Sequence, residues 1–481
     1  MQADRNSARR RKFVFIGAGW VGGLTSTFFA SNNPDSDFWV YDINAALVDK
    51  WNNKQIPFFE HGLECLLLST LGKNLYFTNN RDDAFTGGSI FFICVHTPTK
   101  TKGIGKNEMH DLKYLESCSR DIAGFFGEKQ MEENIAIVEK STVPPKTSNR
   151  ISELFRAAQV KYPENSNKFC VMSNPEFLAE GVAIRDLTNP DRVIIGAGSD
   201  EVSRSMLKVV EDLYATSVPR DRIISTHVYT SELAKLCSNA FLAQRVASIN
   251  SLTPICESLG IDVDQLSECV GSDARIGNRY LKASCGFGGS CLEKDLLALV
   301  YLARSLGHNE TADYWRSVYA MNEYQKKRLP ALVVEQMHGS MNGHKIAILG
   351  VAFKKNTNDC RGSAAISVVR ELLEEGCEVH IFDYQVRRDE FVREYCTYLV
   401  DEILTEDQLA KIVFHDDEVS ACQGSQAILL LTEWDEFKTL KYESLYSVMQ
   451  KPAYFFDFRS MLDSEVLKNV GFKAFRLGYG F

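Results

Sequence analysis

No apolar run in the sequence reaches membrane-spanning length, so no helix crossing a bilayer is expected. The opening MQADRNSARRRK is polar and basic and leads straight into a β-type run. It lacks the apolar centre of a secretory signal, which points to the cytosol. Histidine is sparse, at 9, and no Cys/His cluster has zinc spacing, so no metal site is expected. The 13 cysteines are odd in number and show no paired spacing, so reduced thiols are the simplest reading. Positive charge is in deficit, with 54 Lys and Arg against 63 Asp and Glu. The balance of -9 argues against nucleic acid or an anionic membrane as the main partner. Any nucleotide must therefore be met by local positive groups.

What is present is enough for several domains. At 481 residues and 45% hydrophobic content, the chain has room for about two to four domains with sizeable cores.

Residues 12–16 form a β-type run ending in Gly17, Ala18, Gly19, Trp20, Val21 and Gly22. A helical stretch to Ala30 follows, then a strand over 38–41 that delivers Asp42. Strand, glycine turn, helix, strand and acid together make the dinucleotide fingerprint in its required context. Gly17 permits the turn, Gly19 admits a pyrophosphate and Gly22 packs helix on strand. Asp42 is placed to accept from a ribose 2′-hydroxyl, which favours NAD over NADP.

Two further apolar runs end in polar tips. Residues 90–95 lead to His96, Thr97, Pro98 and Thr99, and 135–138 lead to Lys140, Ser141, Thr142 and Val143. Both tips point toward a ligand crevice or serve as ordinary strand-to-helix connections. A run over 169–172 then opens SNPEFLAEG, in which Glu176 and Glu180 stand four apart on a loop or nascent helix. They read equally as base and ligand or as a solvated charge pair.

Between residues 228 and 339 the pattern turns helical. Leu233, Leu236, Ala240 and Ala243 form the apolar stripe of one helix over 232–247. Lys235 and Asn239 share another face, one turn apart. Such a lysine either snorkels to water or serves a site. The final unit repeats the N-terminal order, with a strand over 345–350, a helix over 363–375 and a strand over 378–382 ending in Asp383. Its glycine fingerprint is reduced to Gly350, so a dinucleotide is not expected there in the usual way. Lys354, Lys355 and Arg361 suit a phosphate-bearing ligand instead.

The stretch KASCGFGGSCLEKD, residues 282–295, reads as the reaction centre. Ser290 and Glu293 have capping-box spacing, and Leu296, Leu297, Val300 and Tyr301 recur at helical spacing. This places Cys291 in a first turn, where the helix dipole favours a thiolate, with Asp295 one turn on. Gly286, Gly288 and Gly289 let the backbone pass close to a ligand.

With these pieces placed, residues 11–480 closely resemble the UDP-glucose 6-dehydrogenases of the UDP-glucose/GDP-mannose dehydrogenase family. The markers, in order, include GAGWVGG, TPTKT, EKSTVP, SNPEFLAEG, NPDRV, SELAKLCSNAFLAQR, RIGNRYLKAS, GFGGSCLEKD, AFKKNT and LTEWD. The resemblance implies an α/β fold of two Rossmann-like doubly wound domains joined by a long central helical segment. The expected divisions are an NAD-binding domain over 1–227, a helical dimerisation domain over 228–339 and a UDP-binding domain over 340–481. The implied reaction takes the C6 alcohol of UDP-glucose to a carboxylate with two NAD+.

The resemblance also assigns roles. Cys291 is the nucleophile, Lys235 stabilises the oxyanion or moves its proton, Asn239 assists it, and Asp295 acts on water or with the lysine. Glu176 matches the glutamate of hydrolysis, Thr142 the threonine that orients water, and Glu180 and Arg361 contacts to NAD. Gly17, Ala18, Gly19, Trp20, Val21, Gly22, Asp42, Val95, His96, Thr97, Pro98, Thr99, Ser141, Thr142, Val143 and Cys291 complete the cofactor surface. Substrate contacts fall at Glu176, Phe177, Leu178, Ala179 and Glu180, at Lys235 and Asn239, and at Lys282, Ala283, Ser284, Cys285, Gly286, Phe287 and Gly288. Phe353, Lys354 and Arg459 join them, and Arg275 reaches the substrate of a neighbouring subunit. This implies at least a dimer, and animal members form hexamers as three dimers.

Several residues depart from the family pattern. Leu47 stands where an arginine is common, His96 replaces an asparagine, Cys360 and Gly362 flank Arg361, and Phe458 adds bulk before Arg459. Cys285 replaces a valine and is expected to offer Cys291 an inhibitory disulfide under oxidation. These departures keep two alternatives open. One is a dehydrogenase of another nucleotide sugar; the other is a non-catalytic paralogue acting within a mixed oligomer.

Overall fold

The computed structural model describes residues 10–129, 134–163, 167–398 and 405–479; most of the basic opening, residues 1–9, lies outside them. Two compact units divide between Cys237 and Ser238. No helix among the described residues is long and apolar enough to cross a membrane.

The first unit is built on eight strands: β1 (Arg11–Ile16), β2 (Ser36–Tyr41), β3 (Leu75–Thr78), β4 (Gly88–Ile93), β5 (Ile135–Glu139), β6 (Phe169–Ser173), β7 (Val193–Ala197) and β8 (Ile223–His227). Their order is β3-β2-β1-β4-β5-β6-β7-β8. The first six follow the doubly wound 3-2-1-4-5-6 order, which places the fingerprint turn after β1 beside the point where strand order reverses. Pairing is parallel except where β7 meets β6 at Ser173 and Gly196. β4 is buried along its whole length, which explains its unbroken apolar spelling. It ends earlier than the apolar run suggests: Cys94 N still bonds Ile16 O at 2.8 Å, and the chain then leaves the sheet.

Aromatic side chains fill one face of this sheet. Phe15 stacks on Phe92 with ring centroids 4.6 Å apart, and Phe29 meets Tyr214 edge-on at 4.9 Å. All four are buried.

The boundary between the units falls inside one helix, Val228–Leu259, which continues past Pro254 well beyond the apolar stripe read from the sequence. Helices Val263–Gly271, Leu292–Ser305 and Asn309–Gln336 follow. The second sheet comprises β9 (Lys345–Leu349), β10 (Glu378–Phe382), β11 (Ile412–Phe414), β12 (Ala427–Leu430), β13 (Tyr454–Asp457) and β14 (Lys473–Arg476). Its order, β11-β10-β9-β12-β13-β14, repeats 3-2-1-4-5-6 and is parallel throughout. Leu329 and Val333 of the helix Asn309–Gln336, with Met337 at its C-cap, share one core with Ile346, Ile348 and Leu349 of β9. After β14 the chain returns to the helices, where Gly478 N donates to Glu257 Oε1 at 2.9 Å and Val263 N to Gly478 O at 2.9 Å. Arg476 pairs with Asp262 at 2.5 Å.

Phe92 touches both Phe15 and Phe29 at the centre of the first sheet. Phe92→Ala is expected to destabilise that unit by about 3–5 kcal/mol through lost burial and a residual cavity. A lower denaturant midpoint for its unfolding transition is the check.

Candidate active site

In the fingerprint turn, two glycines are required by the chain itself. Gly17 has φ +104, and a Cβ there would stand 2.8 Å from Cys94 O; at Gly22 it would stand 1.9 Å from Gly17 O. At Gly19 nothing lies within 4 Å of a Cβ position. Gly19 is the N-cap of the helix Trp20–Asn32 and supplies no side-chain cap. That combination of open space and uncapped backbone N–H groups suits a phosphate. Asp42 is already engaged: its Oδ2 accepts from Ala18 N at 2.7 Å and its Oδ1 from Asn44 N at 2.8 Å. Each oxygen keeps a further lone pair for a ribose hydroxyl.

The two polar tips are bonded to each other. Ser141 Oγ donates to Val95 O at 2.6 Å, and Thr97 Oγ1 donates to Thr142 O at 2.8 Å. Val143 is buried beside them, while His96 is exposed. Leu47 packs partly buried against the core of this unit.

Glu176 and Glu180 do not share a helix face, because residues 174–179 form an irregular loop. Glu176 receives Leu178 N at 2.8 Å on Oε2 and Lys235 Nζ at 2.9 Å on Oε1. Lys235 Nζ also donates to Glu176 O at 2.6 Å. At 4% exposure the lysine does not snorkel; it forms a buried ion pair. Arg192 covers the Phe177 ring at 3.8 Å, and Ala179 N bonds Asp186 Oδ2 at 3.0 Å. Past Leu178 and Glu180 the loop is held by Glu60, whose carboxylate accepts from Gly181 N at 2.9 Å and Ala183 N at 2.7 Å. Nothing in the sequence pattern marks Glu60, which lies far from this loop along the chain.

In the second unit Cys291 is exposed and is the N-cap of the helix Leu292–Ser305. The expected capping box does not form. Ser290 Oγ turns to Cys291 Sγ at 3.6 Å, and Glu293 lies 3.8 Å from Lys326 Nζ. Burial pushes the Glu293 carboxyl up, with Lys326 acting against it. Asp295 is 1% exposed; its Oδ2 accepts from Asn239 Nδ2 at 2.6 Å, and Lys294 Nζ lies 3.6 Å from its Oδ1. Cys291 O accepts Asp295 N at 3.0 Å, which puts the two residues one helical turn apart.

The glycines before Cys291 are packed against the chain rather than left open. A Cβ at Gly286 would meet Asn322 Oδ1 at 2.9 Å, at Gly288 it would meet Gly362 O at 2.6 Å, and at Gly289 the Phe353 ring at 2.9 Å. Asn322 bonds both Phe287 N and Phe287 O, Asn250 Oδ1 accepts Ser284 N, and Gln325 Nε2 donates to Ser284 O. Ala283 is buried in this loop and Lys282 exposed. Gly289 N bonds Arg361 O at 2.8 Å, and Arg361 forks onto Asp359. Gly362 has φ +59, a conformation that a side chain there would strain.

Arg459 donates to Leu431 O at 2.7 Å and Phe353 O at 3.0 Å and pairs with Glu433 at 3.1 Å. Burial works against its charge, but Cys285, Glu433 and Asp457 more than offset this and raise its pKa. Phe458 does not crowd it, since the ring is 3% exposed and stacks on Phe456 in the core. Lys354 lies 5.6 Å from the Phe353 ring. Arg275 is exposed and paired with Asp273 at 2.5 Å.

The chain matches the UDP-glucose/GDP-mannose dehydrogenase family over three segments: the NAD binding domain at 11–218, the central domain at 229–324 and the UDP binding domain at 347–464. It is 42% identical over 475 residues to a UDP-glucose 6-dehydrogenase of Caenorhabditis elegans, covering 99% of this chain and 96% of that protein. It is 40% identical over 474 residues to UDP-glucose 6-dehydrogenase 1 of Glycine max, covering 97% of each. Among solved structures, a UDP-glucose dehydrogenase from Pyrobaculum islandicum is 28% identical with a TM-score of 0.81, each chain covered in full.

The disulfide expected between Cys285 and Cys291 is disfavoured. Cys285 is fully buried, donates to Leu431 O at 3.6 Å, and has its thiol pKa raised by burial. After mild peroxide treatment, peptide mapping is expected to find Cys291 oxidised and Cys285 still a free thiol.

Proposed function

The chain belongs to the UDP-glucose/GDP-mannose dehydrogenase family, and we propose that it oxidises UDP-glucose to UDP-glucuronate with two NAD+. Two observations carry this reading: in the second unit an exposed Cys291 one turn from a buried Asp295 held by Asn239, and in the first unit a buried ion pair of Lys235 and Glu176. The near full-length likeness to UDP-glucose 6-dehydrogenases supports the choice of substrate.

NAD+, when bound, takes one hydride at each of two oxidations. The open space at Gly19 and the uncapped helix start fit its pyrophosphate, with Asp42 for the ribose and the tips at Val95–Thr99 and Ser141–Val143 alongside. The chain's own groups supply the rest. Lys235, an ammonium paired with Glu176, donates a hydrogen bond to the C6 oxygen and steadies the oxyanion as the hydroxyl proton leaves through water to Asp295 or Glu176. The Cys291 thiolate then adds to the aldehyde carbon, giving a thiohemiacetal. Loss of the second hydride turns this into a thioester, and water, activated through Asp295 or Glu176 and oriented by Thr142, releases the carboxylate and the thiolate.

The second sheet suits UDP rather than a dinucleotide. At the position equivalent to Gly19 stands Ala352, and both Val351 N and Ala352 N donate to Asp383 Oδ2. Those amides are therefore committed, and the next helix begins only at Ala364. Phe353, Lys354 and Arg459, with the 282–288 loop and the 176–180 loop, form the proposed substrate contacts, and Arg361 and Glu180 the outer cofactor contacts. We read the chain as three working parts, 1–227, 228–339 and 340–481, in keeping with the three matched segments. Arg275, exposed in this chain, serves a neighbouring subunit in a dimer, three of which make a hexamer, in the cytoplasm.

Two NADH per UDP-glucose consumed is the expected stoichiometry for the purified chain, and a ratio near one would exclude the covalent second oxidation. Cys291→Ser is expected to keep NAD binding and lose turnover; full activity in that variant would overturn the mechanism.

A further inference from the structure

Glu139, the last residue of β5, is fully buried, and neither of its oxygens receives a hydrogen bond from any donor among the described residues. Strand alternation explains why its neighbour does not help. Ile135, Ile137 and Glu139 point to one face of the sheet, where Ile137 packs with Ile93 and Val143. Lys140 emerges on the other face, where its Nζ donates to Asn174 O at 3.3 Å, Asn174 Oδ1 at 3.1 Å and Tyr214 OH at 3.0 Å. What faces Glu139 is a second acid, Glu232, itself 1% exposed. Glu232 is committed as an acceptor: Lys146 N donates to Oε2 at 2.6 Å and Ser148 N to Oε1 at 2.9 Å.

A buried carboxylate with no donor, opposite another carboxylate, is a costly arrangement; the same two groups sharing one proton make a short, charge-assisted hydrogen bond. We infer that Glu139 donates a proton to Glu232, and that this carboxyl pair positions the Ser141–Val143 segment against the helix turn that carries Lys235. Only Lys140 stands between Glu139 and Ser141, and Glu232 precedes Lys235 by about one helical turn. The bond therefore ties the cofactor-side tip, the 146–148 turn and the base of the Lys235–Glu176 pair into one frame. Glu139 is a positioning residue, and its role rests on the reading of Ser141–Val143 and Lys235 given above.

The groups around Glu139 leave it without a counter-charge. Glu232 faces it from the long helix, Ile93 and Ser173 flank it on β4 and β6, and Lys140 is turned away. Cys118, from the helix Lys113–Glu128 on the same face, is kept neutral by burial. Burial first, and Glu232 second, push the Glu139 carboxyl well above the usual range. With the folded-state pKa raised, the bond is present below that value and is lost as pH rises through it.

Glu139→Gln puts an amide N–H, a donor at every pH, in place of the acid; Glu139→Met keeps the volume without a donor. The infrared difference spectrum of wild type minus Glu139→Gln at neutral pH is expected to carry the carbonyl band of a protonated carboxylic acid. Glu139→Gln should keep turnover and lack the alkaline fall that the inference expects of the wild type. Glu139→Met should lose on the order of 10- to 100-fold in kcat/KM for NAD through misplacement of the tip. Absence of the infrared band, or equal behaviour of the Met and Gln variants, would overturn the inference. Because the band is read without substrate, a chain that failed to oxidise UDP-glucose yet showed it would sink the functional reading and leave the carboxyl pair standing.

Discussion

A buried ammonium group must be met by an anion, and the first unit is arranged around meeting one. Removing a single partner from such a pair leaves the other charge stranded at a cost of about 3–5 kcal/mol. Lys235 therefore fixes Glu176, and with it the loop that begins where β6 ends. That loop is irregular, so it has no ladder to define its shape. Its path is set by carboxylates instead: Glu176 folds back on Leu178 N, Asp186 takes Ala179 N, and Glu60 takes Gly181 N and Ala183 N. The helix bearing Lys235 is tied at its base by Glu232 to the 146–148 turn. Farther along the same helix, Asn239 takes up Asp295. One element thus orders, in sequence, a turn, a loop and a carboxylate.

The two sheets share a strand order and an aspartate device, yet differ where the chemistry differs. Asp42 and Asp383 each end a second strand and each clasp the turn after the first strand through backbone amides. In the first sheet one amide is held and Gly19 remains open; in the second, two amides are held and Ala352 carries a side chain. A methyl group, one extra hydrogen bond and a helix that begins only at Ala364 instead of directly after the turn set the second turn apart from the first.

Much of this was legible in the residues. Periodicity located the strands and the long helix because apolar spacing records which face is buried. The fingerprint was legible because its glycines, helix and acid are close in sequence. The glycines at 286, 288 and 289 were legible as a close approach, but what approaches is Asn322, Gly362 and Phe353, all distant along the chain. The capping box at Ser290 failed because Glu293 is drawn to Lys326, a lysine on another helix that no local pattern reveals. Phe458 reads as bulk beside Arg459, yet strand alternation sends its ring into the core with Phe456. Glu60 and Glu139 carry no periodic signature, since a buried acid is identified only by the donors or acids that tertiary structure brings to it.

The tail after β14 has a consequence for how the molecule is made. Gly478 closes on Glu257 across a separation of 221 residues, and Val263 and Asp262 are held by the same short stretch. As the chain leaves the ribosome, every contact of the first unit is available once Cys237 has emerged. The helices of the second unit must wait for the stretch around Gly478, 221 residues after Glu257, before their ends are fastened. The nucleotide-fingerprint half can therefore mature once Cys237 has emerged, whereas the half bearing the thiol is fastened only when Gly478 has followed.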